Sequence, residues 1–222
     1  LLCIVGPLVL TMRTVELTGS LPLFIFFMSI GFGYMLIEMS QMQRLALFLG
    51  HPTYGLSVVL FTLLLSSGLG SALTQRLPNP ETSNSSTFAI LGLVVVLLVF
   101  GLLTPYIISS FQALTTPLRI LLAICIIFPI GLCMGMAFPL GMKLASKATP
   151  QLTPWLWGVN GATSVCASVV ALTIAFTSSI STSFWIGFGC YVLALGSFIW
   201  SKRSALQHAF SPSSKRSPAI GD

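Results

Sequence analysis

The chain has 222 residues, of which 55% are hydrophobic and 6% charged, with a net charge of +6 and a mean hydropathy of +0.98. A soluble domain carries about 25% charged residues, so this chain has too little charge to cover a water-exposed surface, and lipid is the solvent for most of it. Its basic residues sit at segment ends and in the tail, without interleaved aromatics, which excludes a nucleic-acid surface as a partner.

The apolar runs are continuous rather than alternating, and several reach the ~20 residues that cross a bilayer as a helix. Backbone groups in hydrocarbon must be satisfied internally, so these runs read as helices. Residues 1–12 start within an apolar run, without Met or the charged flank of a signal peptide. They read as the end of a helix, and the chain as a C-terminal piece of a larger protein. Full spans are predicted at 21–48, 54–74, 87–110, 118–141, 153–176 and 180–200. The expected fold is all-α: a polytopic transmembrane bundle of about six full spans plus the partial N-terminal helix, with 1–200 as one domain. Residues 77–86 and 146–154 are polar, proline-containing linkers. Residues 201–222 carry two Lys-Arg pairs and no periodicity, and read as a disordered basic tail.

Alternating loops place Arg13, Arg76, Lys143, Lys147, Lys202, Arg203, Lys215 and Arg216 on one side, and Arg44 and Arg119 on the other. The positive-inside rule then predicts a cytosolic C-terminus. Trp155, Trp157 and Trp200 fall at that same interface, where amphipathic rings belong.

The first full span, 21–48, carries Glu38, the one acidic side chain inside an apolar segment. Such a group costs roughly 2.5–3.5 kcal/mol on insertion scales, so it has a partner or a job. Gln41 follows at i+3, and Arg44 at i+3 from Gln41. Glu38 and Arg44 lie about 240° apart around a helix, too far to pair directly, so Gln41 is the expected bridge. Tyr34, at i−4, is placed to donate to the carboxylate. Two readings stand: a hydrogen-bonded carboxylate that sets helix register, with Arg44 reaching outward, or a site for a cation or proton. The span is either tilted or ends near Glu38. His51-Pro52 predicts an extended turn, with Tyr54 starting the next helix at the interface.

Residues 118–141 contain Pro129, Gly131, Gly135, Pro139 and Gly141. Gly131 and Gly135 form a GxxxG packing motif. The prolines predict a kink, or a break of the kind that binds substrates at midplane. In 153–176, Gly161, Ser164, Ser168, Ala171 and Ala175 recur at helical spacing and predict a packing seam. Asn160 lies beside it, as interhelical glue or as a ligand contact.

The five cysteines form no ligand spacing, and His51 has no second ligand nearby, so neither metal nor cofactor is expected. Gly31-x-Gly33 lacks the rest of a nucleotide loop. GxSxG, HExxH, Walker A and paired carboxylates are absent, so the chain carries no visible catalytic machinery of its own.

The stretch GFGYMLIEMSQMQRLALFLGHPTYGLSVVLFTLLLSSGLGS resembles the membrane portion of spermidine synthase-like bacterial membrane proteins, also described as fused major-facilitator/spermidine synthase proteins. GMAFPLGMKLAS and PWLWGVNGATSVCASVVA resemble the family's later helices. The resemblance covers most of 21–175. It implies a multi-pass domain of a bacterial inner membrane that anchors or regulates a Rossmann-like synthase domain lying upstream of residue 1. It also implies that catalysis belongs to that domain and not to this chain. The alternative expectation is a transport module for a polyamine or other small cation, using Glu38.

Overall fold

The computed structural model describes residues 20–76, 84–148 and 150–210, with the backbone alone at 148 and 204–210. It contains six long helices: α1 (Leu21–Leu49), α2 (Pro52–Thr74), α3 (Ser85–Ser110), α4 (Thr116–Ala148), α5 (Thr153–Thr177) and α6 (Ile180–Phe210). A short 3-10 turn, Pro150–Leu152, precedes α5. All six are long and apolar enough to cross a membrane. The protein is an all-α helical bundle, compatible with a multi-pass membrane protein.

The helix starts follow from proline chemistry. α1, α2, α4 and α5 each carry proline in the first turn, at Pro22, Pro52, Pro117 and Pro154. There the missing N–H would have no helical partner anyway, and the fixed φ suits the helix. The α1–α2 turn is equally local. Gly50 takes φ 75°, and its N–H returns to the Ala46 carbonyl at 3.2 Å. This left-handed cap is cheap only for glycine. His51 is extended, as its neighbour Pro52 demands, and α2 starts at once. Gly55 lets the two helices cross closely, since a Cβ there would lie 2.5 Å from the Ala46 Cα.

α1 is the centre of the bundle. In its most apolar stretch 61% is buried, against 17–39% for the other five helices. It packs on α6 and α5 most extensively, then on α2 and α4. α2 packs along α4, and α3 lies outside on α4 and α6. Phe26, Phe27, Phe138 and Phe198 form the aromatic core around α1, with ring centroids 5.3–5.5 Å apart. Lipid is as apolar as these side chains, so close van der Waals fit, not water exclusion, holds the helices together. Small residues supply the fit. Cβ atoms added at Gly131, Gly135 or Gly70 would fall 2.0–2.1 Å from α2 or α4 atoms, which places the GxxxG motif directly in the α2–α4 contact.

Several expectations need correction. α1 does not end near Glu38; it runs 29 residues to Leu49, ~43 Å at 1.5 Å per residue. α4 is continuous through Pro129 and Pro139, so no broken helix exists there. Each proline removes one hydrogen bond, while the flanking turns keep theirs. α6 continues through Phe210, so 201–210 are helical and not tail. Gly161 lies outside the packed seam, with no atom within 4 Å of a built Cβ. The buried line of α5 is Leu156, Val159, Ala167 and Ala171. The predicted helix at 1–12, Arg13, most of the 77–86 linker, Lys215 and Arg216 lie outside the described residues.

Candidate functional site

Two polar regions share α1. The first surrounds a cavity of about 470 Å³ between α1, α2, α4, α5 and α6. Its polar lining comes from Tyr34, Ser67, Ser71, Asn160, Ser164 and Tyr191. Ile30, Met35, Leu64, Met134 and Phe138 make apolar walls. Tyr34 lies thirteen residues into α1, ~20 Å from its start, so the cavity is near mid-depth.

The α5 side of the cavity is tightly built. Asn160 Nδ2 donates to the Phe27 carbonyl at 3.0 Å, and Ser164 Oγ lies 3.2 Å from the Gly31 carbonyl. Two successive turns of α1 thus receive donors from α5. Gly31 permits the approach, since a Cβ there would sit 2.5 Å from the Asn160 carbonyl oxygen. Asn160 therefore joins two helices and also lines the cavity. Ser168 is half-buried and bonds only within its own helix, to the Val165 carbonyl. On the α2 side, Tyr34 interacts with the Ser67 side chain.

The second region begins one turn further along α1. Glu38 is 9% exposed, and its carboxylate makes no hydrogen bond or ion pair with the described residues. It follows Tyr34, a cavity-lining residue, by one helical turn and is not itself part of the lining. The expected Tyr34 hydrogen bond to Glu38 is not formed, because that tyrosine engages Ser67 on α2. Gln41 does not bridge to Arg44: both its amide atoms are buried without a partner. Ser40 Oγ and Arg44 Nη1 are likewise buried and unpaired. Arg44 is half-buried near the end of α1. Its Nη2 donates to Ser181 Oγ of α6 at 3.0 Å, and its guanidinium lies 5.8 Å from the Phe184 ring centre. The second half of α1 thus carries several under-satisfied buried polar groups, of which Arg44 meets α6.

The turn beyond is structural. His51 and Tyr54 meet edge-on with ring centres 5.8 Å apart, and both are exposed with Pro52. Arg119 ties this end together. It donates to the Phe48 carbonyl at 3.2 Å, to the Leu114 carbonyl at 2.9 Å and to the Gln112 carbonyl. At the opposite end, Lys143 donates to the Thr74 carbonyl and so caps the end of α2.

No group of three His, Cys, Asp or Glu side chains that could hold a metal ion occurs among the described residues. Cys125, Cys133, Cys166 and Cys190 are free thiols. Sequence reasoning missed Ser67, Ser71 and Tyr191. Their signal was faint: a Ser-Ser-x-x-Gly-Ser run in α2, and a lone tyrosine in an apolar stretch of α6. Comparisons with protein-family models, with curated proteins and with solved structures return no match to this chain.

Proposed function

We propose that the chain is the membrane domain of a spermidine synthase-like protein, holding or regulating a soluble synthase-like domain at a bacterial inner membrane. The observation that carries this reading is where the resembling stretch falls. Residues 31–71 form the last two thirds of α1, the α1–α2 turn and most of α2, and α1 is the most buried helix of the bundle. The C-terminus is cytosolic on this reading. Arg76, Lys143, Lys147, Lys202 and Arg203 mark that end of the bundle, whereas Arg44 and Arg119 lie toward the other. In cells expressing the whole protein, deletion of the membrane domain is expected to move synthase activity from the membrane to the soluble fraction. Activity that stays in the membrane fraction after deletion overturns the anchoring role. A reporter fused after Asp222 and active only in the periplasm is expected to stay silent.

A second reading is favoured by one specific observation: a cavity near mid-depth with several polar lining residues, one helical turn from the buried Glu38. On that reading the domain carries a polyamine or other small cation, with Glu38 as counter-charge. Glu38→Gln separates the two readings. A carrier loses flux at unchanged protein level, whereas an anchor retains its partner's location and activity.

A further inference from the structure

We propose that the central cavity is a binding site for an uncharged amphiphile, a hydroxyl or primary amide head on an apolar body, which enters from the bilayer. The site goes beyond both readings above and uses neither Glu38 nor a soluble domain.

The lining holds an unmet donor. Tyr191 is 1% exposed and lines the cavity, and its hydroxyl makes no hydrogen bond with the described residues. Its ring is held by packing on α1, since a Cβ added at Gly33 would lie 3.2 Å from a ring carbon. A buried tyrosine hydroxyl ordinarily finds a partner, and leaving it without one is costly. The lining also holds an unmet acceptor. Pro139 has no N–H, so the Gly135 carbonyl one turn earlier loses its helical donor, although α4 stays continuous. Gly135 and Pro139 both line the cavity.

The rest of the lining selects the ligand. No Asp, Glu, Lys, Arg or His side chain belongs to it. Leu64, which does, is 68% exposed, and α5 packs on α1 and α6 but scarcely on α2 or α4. The cavity therefore opens toward lipid between α2 and α5, near mid-depth. A charged ligand would shed its hydration there and meet no opposite charge. A hydrocarbon chain would fill the space but leave the Tyr191 hydroxyl and the Gly135 carbonyl unmet. A hydroxyl or primary amide both accepts and donates, and an alkyl or aryl body suits the walls of Ile30, Met35, Leu64, Met134 and Phe138. The volume, about 470 Å³, lies in the range of small-molecule sites, which are mostly apolar with a few placed polar groups.

The test uses the full chain in lipid nanodiscs, photolabelled with octanol, octane and octylammonium probes that carry the same diazirine. Labelled residues are located by mass spectrometry. At equal concentration in the bilayer, the octanol probe is expected to label the cavity residues at least about fivefold more than the octane probe, which corresponds to about 1 kcal/mol for one net hydrogen bond. Tyr191→Phe keeps the ring and removes the hydroxyl, and is expected to bring octanol labelling down to the octane level. Gly68→Leu is expected to abolish octanol labelling while keeping the size-exclusion profile of the parent. Gly68 lines the cavity, yet a Cβ there meets no atom within 4 Å, so the new side chain fills space without displacing packing. Equal labelling by octane means that acyl chains fill the cavity, and stronger labelling by octylammonium gives it to a cation, as the second reading requires. Undiminished octanol labelling in Tyr191→Phe or in Gly68→Leu places the probe elsewhere. Each of these results overturns the proposal. If Tyr191→Phe does not fold, the octane comparison and Gly68→Leu decide alone.

Discussion

The two halves of α1 handle buried polarity in opposite ways. From Leu21 to Gly33 the helix meets α5 through satisfied groups: Asn160 donates to the Phe27 carbonyl, Ser164 approaches the Gly31 carbonyl, and Gly31 opens the space for both. From Glu38 to Arg44 the same helix buries Ser40 Oγ, both Gln41 amide atoms and Arg44 Nη1 without partners, and Arg44 reaches Ser181 of α6. Packing explains the first half completely. It does not explain the second, because an unpaired buried polar group costs free energy that an apolar residue would avoid. The first half is held by its fit to α5, whereas the second keeps buried polar groups that packing alone does not account for.

The largest expected effect breaks the first half. Gly31→Leu drives a side chain into the α5 backbone, where even a Cβ would sit 2.5 Å from the Asn160 carbonyl oxygen. Overpacking costs typically 1–3 kcal/mol and occasionally more, and backbone yields less readily than side chains. Denaturation by SDS titration in mixed micelles is expected to show destabilisation of at least about 3 kcal/mol, at the upper end of that range. A change below about 1 kcal/mol, the lower end, means that α5 does not approach α1 as closely as described.

The next effect has the opposite sign. Gln41 is 1% exposed, and neither amide atom has a partner. Gln41→Leu removes a desolvated amide whose cost is about 1–3 kcal/mol, so the variant is expected to be more stable than the parent by a fraction of that. The same titration measures it. A clear loss of stability would show that Gln41 has a partner in the membrane-embedded protein, and the contrast between the two halves would fail.

Much of this layout was legible in the sequence. Span starts fell within two residues of the helices, because proline marks four of them, whereas the ends of α4 and α6 run seven and ten residues further than bilayer thickness alone requires. The GHPTYG turn was legible for the same local reason, as was the GxxxG contact of α4. The α5 seam was not. Small residues at 3- and 4-residue spacing fit more than one face of that helix, and the face chosen included Gly161, which points away from the bundle. The better marker was Asn160, one position earlier, since a polar side chain in lipid turns toward a partner. The cavity was invisible because five helices contribute to it, and no single helix carries its pattern. Tyr34 and Glu38 looked like a pair at i, i+4, yet Tyr34 engages α2 instead. Local spacing says which groups can meet and leaves the choice between partners to tertiary packing.

A smaller effect tests the Asn160 contact itself. Asn160→Ala removes a 3.0 Å donor to the Phe27 carbonyl, an acceptor that the α1 helix can still satisfy along its own axis. Interhelical hydrogen bonds in membranes average about 0.6 kcal/mol and reach about 1.7. A loss within that range is expected, well below the effect of Gly31→Leu. A loss comparable to Gly31→Leu would mean that the hydrogen bond, and not the close fit of small residues, holds α5 in place.

The smallest effect comes from the one side-chain bond that the second half of α1 accepts from α6 at a carbonyl. Ser183 Oγ lies 3.4 Å from the Leu36 carbonyl, and Ser183 is 1% exposed. That distance is well beyond the 2.7–2.8 Å typical of hydroxyl donors, so the bond contributes little. Ser183→Ala also leaves no polar atom stranded on α6, and the Leu36 carbonyl keeps its helical partner. A stability change within about 0.5 kcal/mol is expected, the usual range for substitutions that touch no special feature. A loss above about 1 kcal/mol, the size of an ordinary net hydrogen bond, would show that α6 grips the second half of α1 as firmly as α5 grips the first. The unpaired groups between Ser40 and Arg44 would then lie within a tightly held interface, and the difference between the two halves would narrow.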